Sequence, residues 1–326
     1  MVPKPIIKPM LIAHGGAGGR APVSERVERQ RGLIDAVERG STVLRNGGNA
    51  LDAVTNTVAA LEDHALFNAG YGSVLTLEGR VEMDAGVVMA ERQTLRSPGA
   101  ERRRRSTGII RAGGVVLVTR VHNPVLLARL VMERTPHVLI GGVAAERLAR
   151  EAGIPLCRPE QLVTKRARER WLAVLQAAPR RTESHHGTVG AAALDSAGNL
   201  AAATSTGGVS GKLPGRIGDS AIIGAGLYAA LNGAASATGT GEAIMKVGLC
   251  REAVRLLPRM GPHAAAAHAI DELYAQTGGE AGVIMVDSSG RLGYAHNAQA
   301  MEIAFFNSRD IRHVVVDPIA KHPTHG

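Results

Sequence analysis

At 326 residues the chain is long enough for one large domain or two ordinary ones, and 45% apolar against 21% charged residues is the balance of an ordinary globular protein. Aromatics make up only 2% while glycines number 40, so a core must be built from Ala, Val, Leu and Ile with many tight turns, which suits short strands in layers better than a bundle of bulky helices. The net charge of +9 is concentrated in the run Arg102 to Arg105, no apolar stretch approaches bilayer length, and Cys157 and Cys250 fit no CxxC or metal-ligand spacing, which argues against membrane insertion and against a disulfide scaffold.

Residues Lys8 to His14 read as a short buried strand ending in a glycine-rich corner, His14 to Gly19. A long helix follows from about Ser24, with Ser24 as N-cap and Val27, Ile34, Val37 and Leu44 on one apolar face, until Asn46-Gly47-Gly48 stops it. Asn49 can cap a second helix running to Leu61. From Tyr71 to Ala90 the pattern turns to short β-like pieces with Glu78-Gly79-Arg80 as a turn. Gly113 to Val121 reads as a further strand. Helices follow over Pro124 to Arg134, capped by Asn123, then over Ala144 to Glu151 and Glu160 to Leu175. Residues Ala177 to Gly187 are polar and aperiodic, a linker by composition.

The second half opens on a hairpin pattern, Val189 to Leu194 and Leu200 to Ser205 around Asp195 to Asn199. A similar one recurs at Val283 to Val286 and Leu292 to Ala295. Between them Ile244, Val247, Cys250, Val254 and Leu257 recur at helical spacing, and a second helix spans roughly His263 to Gln276. Strands and helices in this order predict a layered α/β fold, two sheets with helices on both outer faces, rather than an alternating βαβ series.

A Gly187-Thr188 pair at the junction of a polar linker and a buried strand has a specific chemical use. Breaking that bond would give Thr188 a free α-amine beside its own hydroxyl, and an α-amine with a pKa of about 7.7–8.0 is a competent base near neutrality. An isolated Gly-Thr more often marks a glycine turn into a strand, so the neighbouring residues matter. Thr204 to Gly208 would bring hydroxyls, Thr206 among them, back beside the strand start. Arg216 and Asp219 offer a guanidinium for a carboxylate and a carboxylate for an ammonium, the two halves of an amino-acid head group; the bland alternative is a surface ion pair. Thr238 to Glu242 opens a helix with exposed N–H groups, where an oxyanion hole could form.

With HGGAGG at His14 to Gly19, LFNAGYGSVLT at Leu66 to Thr76, MDAG at Met83 to Gly86, NPVLLARLVMERTPHVLIGG at Asn123 to Gly142, and then HGTVGAAALD, TSTGG, KLPGRIGDS, GAGLYA and TGTGE in order, nearly the whole chain resembles the isoaspartyl peptidase / plant-type L-asparaginase family of N-terminal-nucleophile hydrolases. The resemblance implies a single αββα sandwich spanning 1–326, cut by itself into an α chain (1–187) and a β chain (188–326) that assemble as a dimer of αβ units. It implies Thr188 as nucleophile with Thr206 beside it, Thr238 and Gly239 as oxyanion hole, Arg216, Asp219, Thr240 and Gly241 at the substrate, and Asn68 in support. It implies no catalytic cofactor or metal, and a structural sodium ion held by the backbone of Leu61 to Asn68. The expected reaction is hydrolysis of the side-chain amide of L-asparagine or of β-aspartyl dipeptides through an acyl-Thr188 ester, in the cytoplasm. The chain departs from the family's pattern in the insert around Ser97 to Gly108, at His296-Asn297-Ala298 and at Gly211.

Three rival readings are weaker. Gly16 to Ala21 fits GxGxxA, with Asp35 downstream, but Pro22 and Ser24 delay the helix that should meet a phosphate. The arginine run suggests nucleic acid, yet interleaved aromatics and a standard motif are missing. His185-His186 alone is a poor metal site. A glycosylasparaginase-like amidase is the nearest enzymatic alternative.

Overall fold

The computed structural model describes residues 7–94, 106–176 and 187–319. The Arg102 to Arg105 run, most of the predicted linker and His185-His186 lie outside them. Twelve strands and eight α-helices are assigned among the described residues.

The larger sheet has eight strands in the order β12-β11-β1-β5-β6-β2-β3-β4. These are β1 (Met10–Gly18), β2 (Met83–Thr94), β3 (Ser106–Val118), β4 (Leu139–Gly141), β5 (Val189–Leu194), β6 (Leu200–Thr206), β11 (Ala300–Phe306) and β12 (Ile311–Val316). All neighbours are antiparallel except β3 and β4. The smaller sheet runs β10-β9-β8-β7, with β7 (Leu227–Ala230), β8 (Gly233–Gly239), β9 (Ala281–Asp287) and β10 (Leu292–His296).

Strand alternation divides the interior into three apolar layers. On β5, Ala191 and Ala193 face one way and Ala192 and Leu194 the other; on β9, Val283 and Met285 oppose Ile284 and Val286. The central layer, with Ile12, Ala192, Leu200, Ala202, Leu227, Ala234 and Ile284, lies between the two sheets. Helices α1 (Val23–Arg45), α2 (Ala50–Glu62) and α3 (Pro124–Arg134) cover the outer face of the large sheet. Helices α7 (Leu249–Leu256) and α8 (Pro262–Thr277) cover the small one. The arrangement is the αββα sandwich expected. Its central strands are lined by alanines that are fully buried, which is how a chain with so few aromatics fills two sheet interfaces. Helices α4 (Gly142–Glu151), α5 (Lys165–Gln176) and α6 (Gly241–Val247) complete the set.

Several local expectations are corrected. The glycine-rich corner after His14 continues β1 as far as Gly18, with a register shift between His14 and Ala17. GxGxxA therefore begins in a strand, not at a helix start. Helix α1 begins after Pro22 and no side chain caps it, so Ser24 lies within its first turn. Its buried face contains Leu33, Ala36, Val37 and Leu44, while Val27 points to solvent because the first two turns overhang the sheet. Asn123 does not cap α3; its amide donates to Ala59 O and Asp63 Oδ1, tying α3 to the end of α2. The single helix expected around Ile244 to Leu257 is two, broken at Gly248, whose left-handed backbone (φ 63°) ends α6 and starts α7. The periodicity survives the break because both pieces pack on the same layer. Residues Glu160 to Leu175 begin as a 3-10 turn (Pro159–Leu162) before α5. Strands β7, β8, β11 and β12 carry no expectation from the sequence.

Asn49 does cap α2, accepting from Asp52 N–H at 2.8 Å. Asn49→Ala should cost about 1 kcal/mol of stability in urea unfolding, whereas Ser24→Ala, which removes no cap bond, should change it by less than about 0.5 kcal/mol.

Candidate active site

Antiparallel pairing of β5 with β6 matches Val189 to Ser205, so one step further Thr188 lies opposite Thr206. The Thr188 hydroxyl donates to Thr206 Oγ1 at 3.2 Å, and both side chains are buried. Thr206 Oγ1 also accepts from Gly208 N–H at 2.9 Å, which fixes its position. Asn68 holds the same turn: its Nδ2 donates to Gly208 O at 2.7 Å and its Oδ1 accepts from Val74 N–H at 2.9 Å.

Gly187 sits in a slot. A methyl group on it would lie 2.9 Å from Asn68 Cβ, and one on Gly16, itself at φ 109°, would lie 2.8 Å from Gly187 Cα. Glycine is required on both sides of this approach because a Cβ on either would displace the Gly187–Thr188 peptide.

The strand beneath carries a buried polar chain that the sequence reading assigned no role. His14 pairs with Gly190 across β1 and β5, and its Nε2 lies 2.9 Å from Ser236 Oγ, which is 3.0 Å from Thr204 Oγ1. Burial pushes His14 down to about 3, against a smaller upward pull from the backbone of Thr188, so the imidazole is neutral. Position in HGGAGG marked His14, but only strand register shows it lying under Thr188.

Thr188, Thr206, Arg216, Asp219 and Gly239 line one small cavity. Arg216 does not pair with Asp219. Its guanidinium makes a two-pronged contact with Glu242, 2.9 Å from Nε to Oε1 and 2.9 Å from Nη2 to Oε2, a partner the sequence reading missed. Asp219 is buried, with no hydrogen-bond partner on Oδ2. Burial raises its carboxyl to about 7, opposed by backbone hydrogen bonding and the nearby Arg216. Gly241 lies against both, since a methyl there would fall 2.8 Å from Arg216 Nη2 and 2.8 Å from Asp219 Oδ1. Thr240 N–H donates to Glu280 O at 2.7 Å, holding the β8–α6 corner. Thr238 is buried outside the cavity lining and its Oγ1 accepts from Ala17 N–H at 3.1 Å.

Two acidic residues missed from the sequence hold the Arg216 loop. Glu82 Oε2 accepts from Gly215 N–H at 2.9 Å, and Asp84 accepts from Gly218 N–H and Leu117 N–H, each at 3.0 Å. MDAG contains Asp84, so the position was visible while its role was not. Asn297 Oδ1 accepts from Ala281 N–H at 2.8 Å, and Ala281 is the register partner of Gly239. Gly211 takes φ 76° and a Cβ there would lie 2.6 Å from Val174 Cγ1.

Within Leu61 to Asn68, the carbonyls of Leu61, His64, Leu66 and Asn68 already accept from His64, Phe67, two arginines and Gly207 respectively. Those of Glu62, Ala65 and Phe67 instead turn towards Gly70 and Gly72, where a side chain would strike them. Backbone carbonyl oxygens are the donors a hard cation takes.

Residues 7–100 and 106–316 match the family described as asparaginase. The chain belongs to that family. It is 42% identical to the isoaspartyl peptidase/L-asparaginase of Xenopus laevis over 87% of each protein. Against the isoaspartyl peptidase of Salmonella typhimurium it is 39% identical, covering 90% of this chain and 94% of the relative. The mouse (Mus musculus) isoaspartyl peptidase/L-asparaginase is 40% identical over 86% of this chain and 82% of its own length. The match to the family omits 101–105, which contain the whole run Arg102 to Arg105. No helix among the described residues is long and apolar enough to cross a membrane.

Asp219 makes a sign-specific prediction. Its folded pKa of about 7 lies above the ordinary 3.8, so the folded state binds the extra proton and loses stability as pH rises from about 4 to 7. The Tm of Asp219→Asn minus that of the native chain should grow across that window and level off above pH 7; a flat difference would contradict the assignment.

Proposed function

We propose that the chain is an autoprocessed amidohydrolase that cuts the Gly187–Thr188 bond and then hydrolyses the side-chain amide of L-asparagine and of β-aspartyl dipeptides. The observation that carries this reading is the convergence of the Thr188 hydroxyl, Arg216, Asp219 and Gly239 on one cavity.

In the unbroken chain that cavity measures about 10 Å³, room for about one water molecule. Substrate must wait until Gly187 leaves. Cleavage begins with attack of Thr188 Oγ1 on the Gly187 carbonyl carbon. The C–N bond breaks as the acyl group moves from nitrogen to oxygen, and water then hydrolyses the ester to a Gly187 carboxylate and a free Thr188 amine. No α-amine exists before this step, and Thr206 Oγ1, 3.2 Å away, orients the hydroxyl. Afterwards the α-amine takes the hydroxyl proton and the oxygen attacks the side-chain carbonyl of the substrate. Gly239 N–H and the Thr238 hydroxyl, whose oxygen is pinned by Ala17 N–H, stabilise the oxyanion; one such donor contributes about 3–4 kcal/mol. The ammonium returns its proton to the departing ammonia or amine, and water releases aspartate from the Thr188 ester.

Arg216 would take the substrate α-carboxylate, which must share or replace the contact with Glu242. Asp219 would take the α-ammonium, with Thr240 and Gly241 shaping the wall beside them. An incoming cation favours the ionised Asp219 that burial opposes, so substrate and proton compete for this carboxylate. A structural sodium ion would be held by the carbonyls near Glu62, Ala65 and Phe67; it would brace the loop that carries Asn68, and no chemical step passes through it. Two αβ units would associate as a dimer.

On a denaturing gel with intact-mass analysis, the native chain should give two fragments split at 187/188 and Thr188→Ala a single one. Processing of Thr188→Ala would overturn the proposal. Arg216→Ala should raise KM for asparagine by about tenfold or more through loss of a charge-assisted contact, with a smaller effect on kcat; unchanged kinetics would remove Arg216 from the site. Release of sugar from glycosyl-asparagine in preference to ammonia from asparagine would favour the glycosylasparaginase alternative.

A further inference from the structure

A second, larger cavity of about 180 Å³ lies on the other side of the scissile peptide. Gly187 lines it, while Thr188 lines the small one. Gly187, wedged between Gly16 and Asn68, is therefore the partition between them. Its departure on cleavage would open the larger space to the nucleophile on the side away from Arg216 and Asp219.

That space is cationic. Arg20, Arg29, Arg166 and Arg170 line it, with Glu302 as the acidic counterpart in its wall. Two of the four arginines are committed, and Arg20 is exposed. Arg166 pairs with Glu25 at 2.7 Å and donates to Leu66 O at 2.8 Å. Arg29 donates to Leu66 O and Gly15 O, lies over the Phe67 ring at 4.8 Å, and faces Glu302 at 3.4 Å. Arg170, on the same helix α5 and one turn beyond Arg166, is different. It is half-buried, and among the described residues no carboxylate lies within ion-pairing distance of it. Burial lowers it to about 10, with the neighbouring positive charge of Arg166 acting in the same direction and the Glu25 carboxylate opposing them. A guanidinium lining a cavity, with no carboxylate among the described residues in ion-pairing contact with it, can take an anion.

We propose that Arg170 binds the free α-carboxylate of the leaving amino acid in a β-aspartyl dipeptide, making the cavity a leaving-group subsite selective for peptides over free asparagine. This rests on the hydrolase reading above. The two cavities then divide the substrate: Arg216 and Asp219 hold the aspartyl half, and Arg170 holds the carboxylate of the amine-bearing half. Glycines 15, 16, 18 and 19 form the facing wall, leaving width for varied side chains while the charge at the end selects the terminus. L-Asparagine releases ammonia, which has nothing to offer Arg170.

The test compares kcat/KM of the fully cleaved native enzyme, Arg170→Gln and Arg170→Lys on β-aspartyl-leucine, β-aspartyl-leucinamide and L-asparagine. The native enzyme should prefer the acid over the amide by about tenfold or more, the worth of a charge-assisted contact. Arg170→Gln should erase that preference by slowing the acid, with asparagine as the reference for the aspartyl half, and Arg170→Lys should keep part of it. An acid-to-amide ratio that survives in Arg170→Gln overturns the inference, as does an equal fall on all three substrates, which would mean a structural role. Failure of the native enzyme on every substrate would instead sink the hydrolase reading itself.

Discussion

Antiparallel pairing of β5 with β6 sets the position of every atom that matters at this site. Matching Val189 with Ser205 places Thr188 against Thr206, and matching Asp84 with Thr206 on the next strand places the anchor of the Arg216 loop beside them. Because side chains alternate along a strand, a slip of one residue would turn Thr188 towards the opposite face and bury alanines where the nucleophile should be. The six alanines at the centre of this hairpin are fully buried between helices on one side and the second sheet on the other, which makes such a slip costly. Thr188 thus sits at the start of a rigid strand, and the parts proposed to recognise substrate arrive on turns held by Glu82, Asp84, Asn68 and Asn297.

Electrostatics at the site follow from burial. His14 is neutral beneath Thr188, Asp219 is held near neutrality by its lack of solvent and of a partner, and Arg216 is occupied by Glu242. The ground state of the unbroken chain is therefore a closed site whose charged groups are either paired or suppressed. On the proposed reading, removal of one peptide linkage would change several things together: it would vacate the slot between Gly16 and Asn68, supply a base, and give the carboxylate at 219 a cation to meet. Binding and proton transfer are coupled through that single event.

Much of this was legible from the residues. Thr188, Thr206, Arg216, Asp219 and Gly239 were each expected in the site, and the structure brings all five to one cavity; the β5–β6 hairpin accounts for Thr188 and Thr206, while the other three were placed by the order of their motifs along the chain. The layered architecture followed from hairpins separated by helical spacing. What escaped depends on distant pairings. Glu242 is 26 residues from Arg216, and Ser236 is 222 from His14, contacts that no local pattern encodes. The caps at Ser24 and Asn123 failed because tertiary contacts, the overhang of α1 and the tie to α2, outcompeted a local preference. Arg170 reads in sequence as one more charge in KRARER; only the fold shows it lining a cavity with no carboxylate of the described residues in ion-pairing contact with it.

The most direct measurement follows hydrolysis and cleavage together in one sample. Protein taken at successive times during maturation would be assayed for asparagine hydrolysis while the fraction bearing Thr188 as a new N-terminus is quantified. Activity should be proportional to that fraction and extrapolate to zero when it is zero. Substantial turnover by chains in which residues 187 and 188 are still joined would contradict the account.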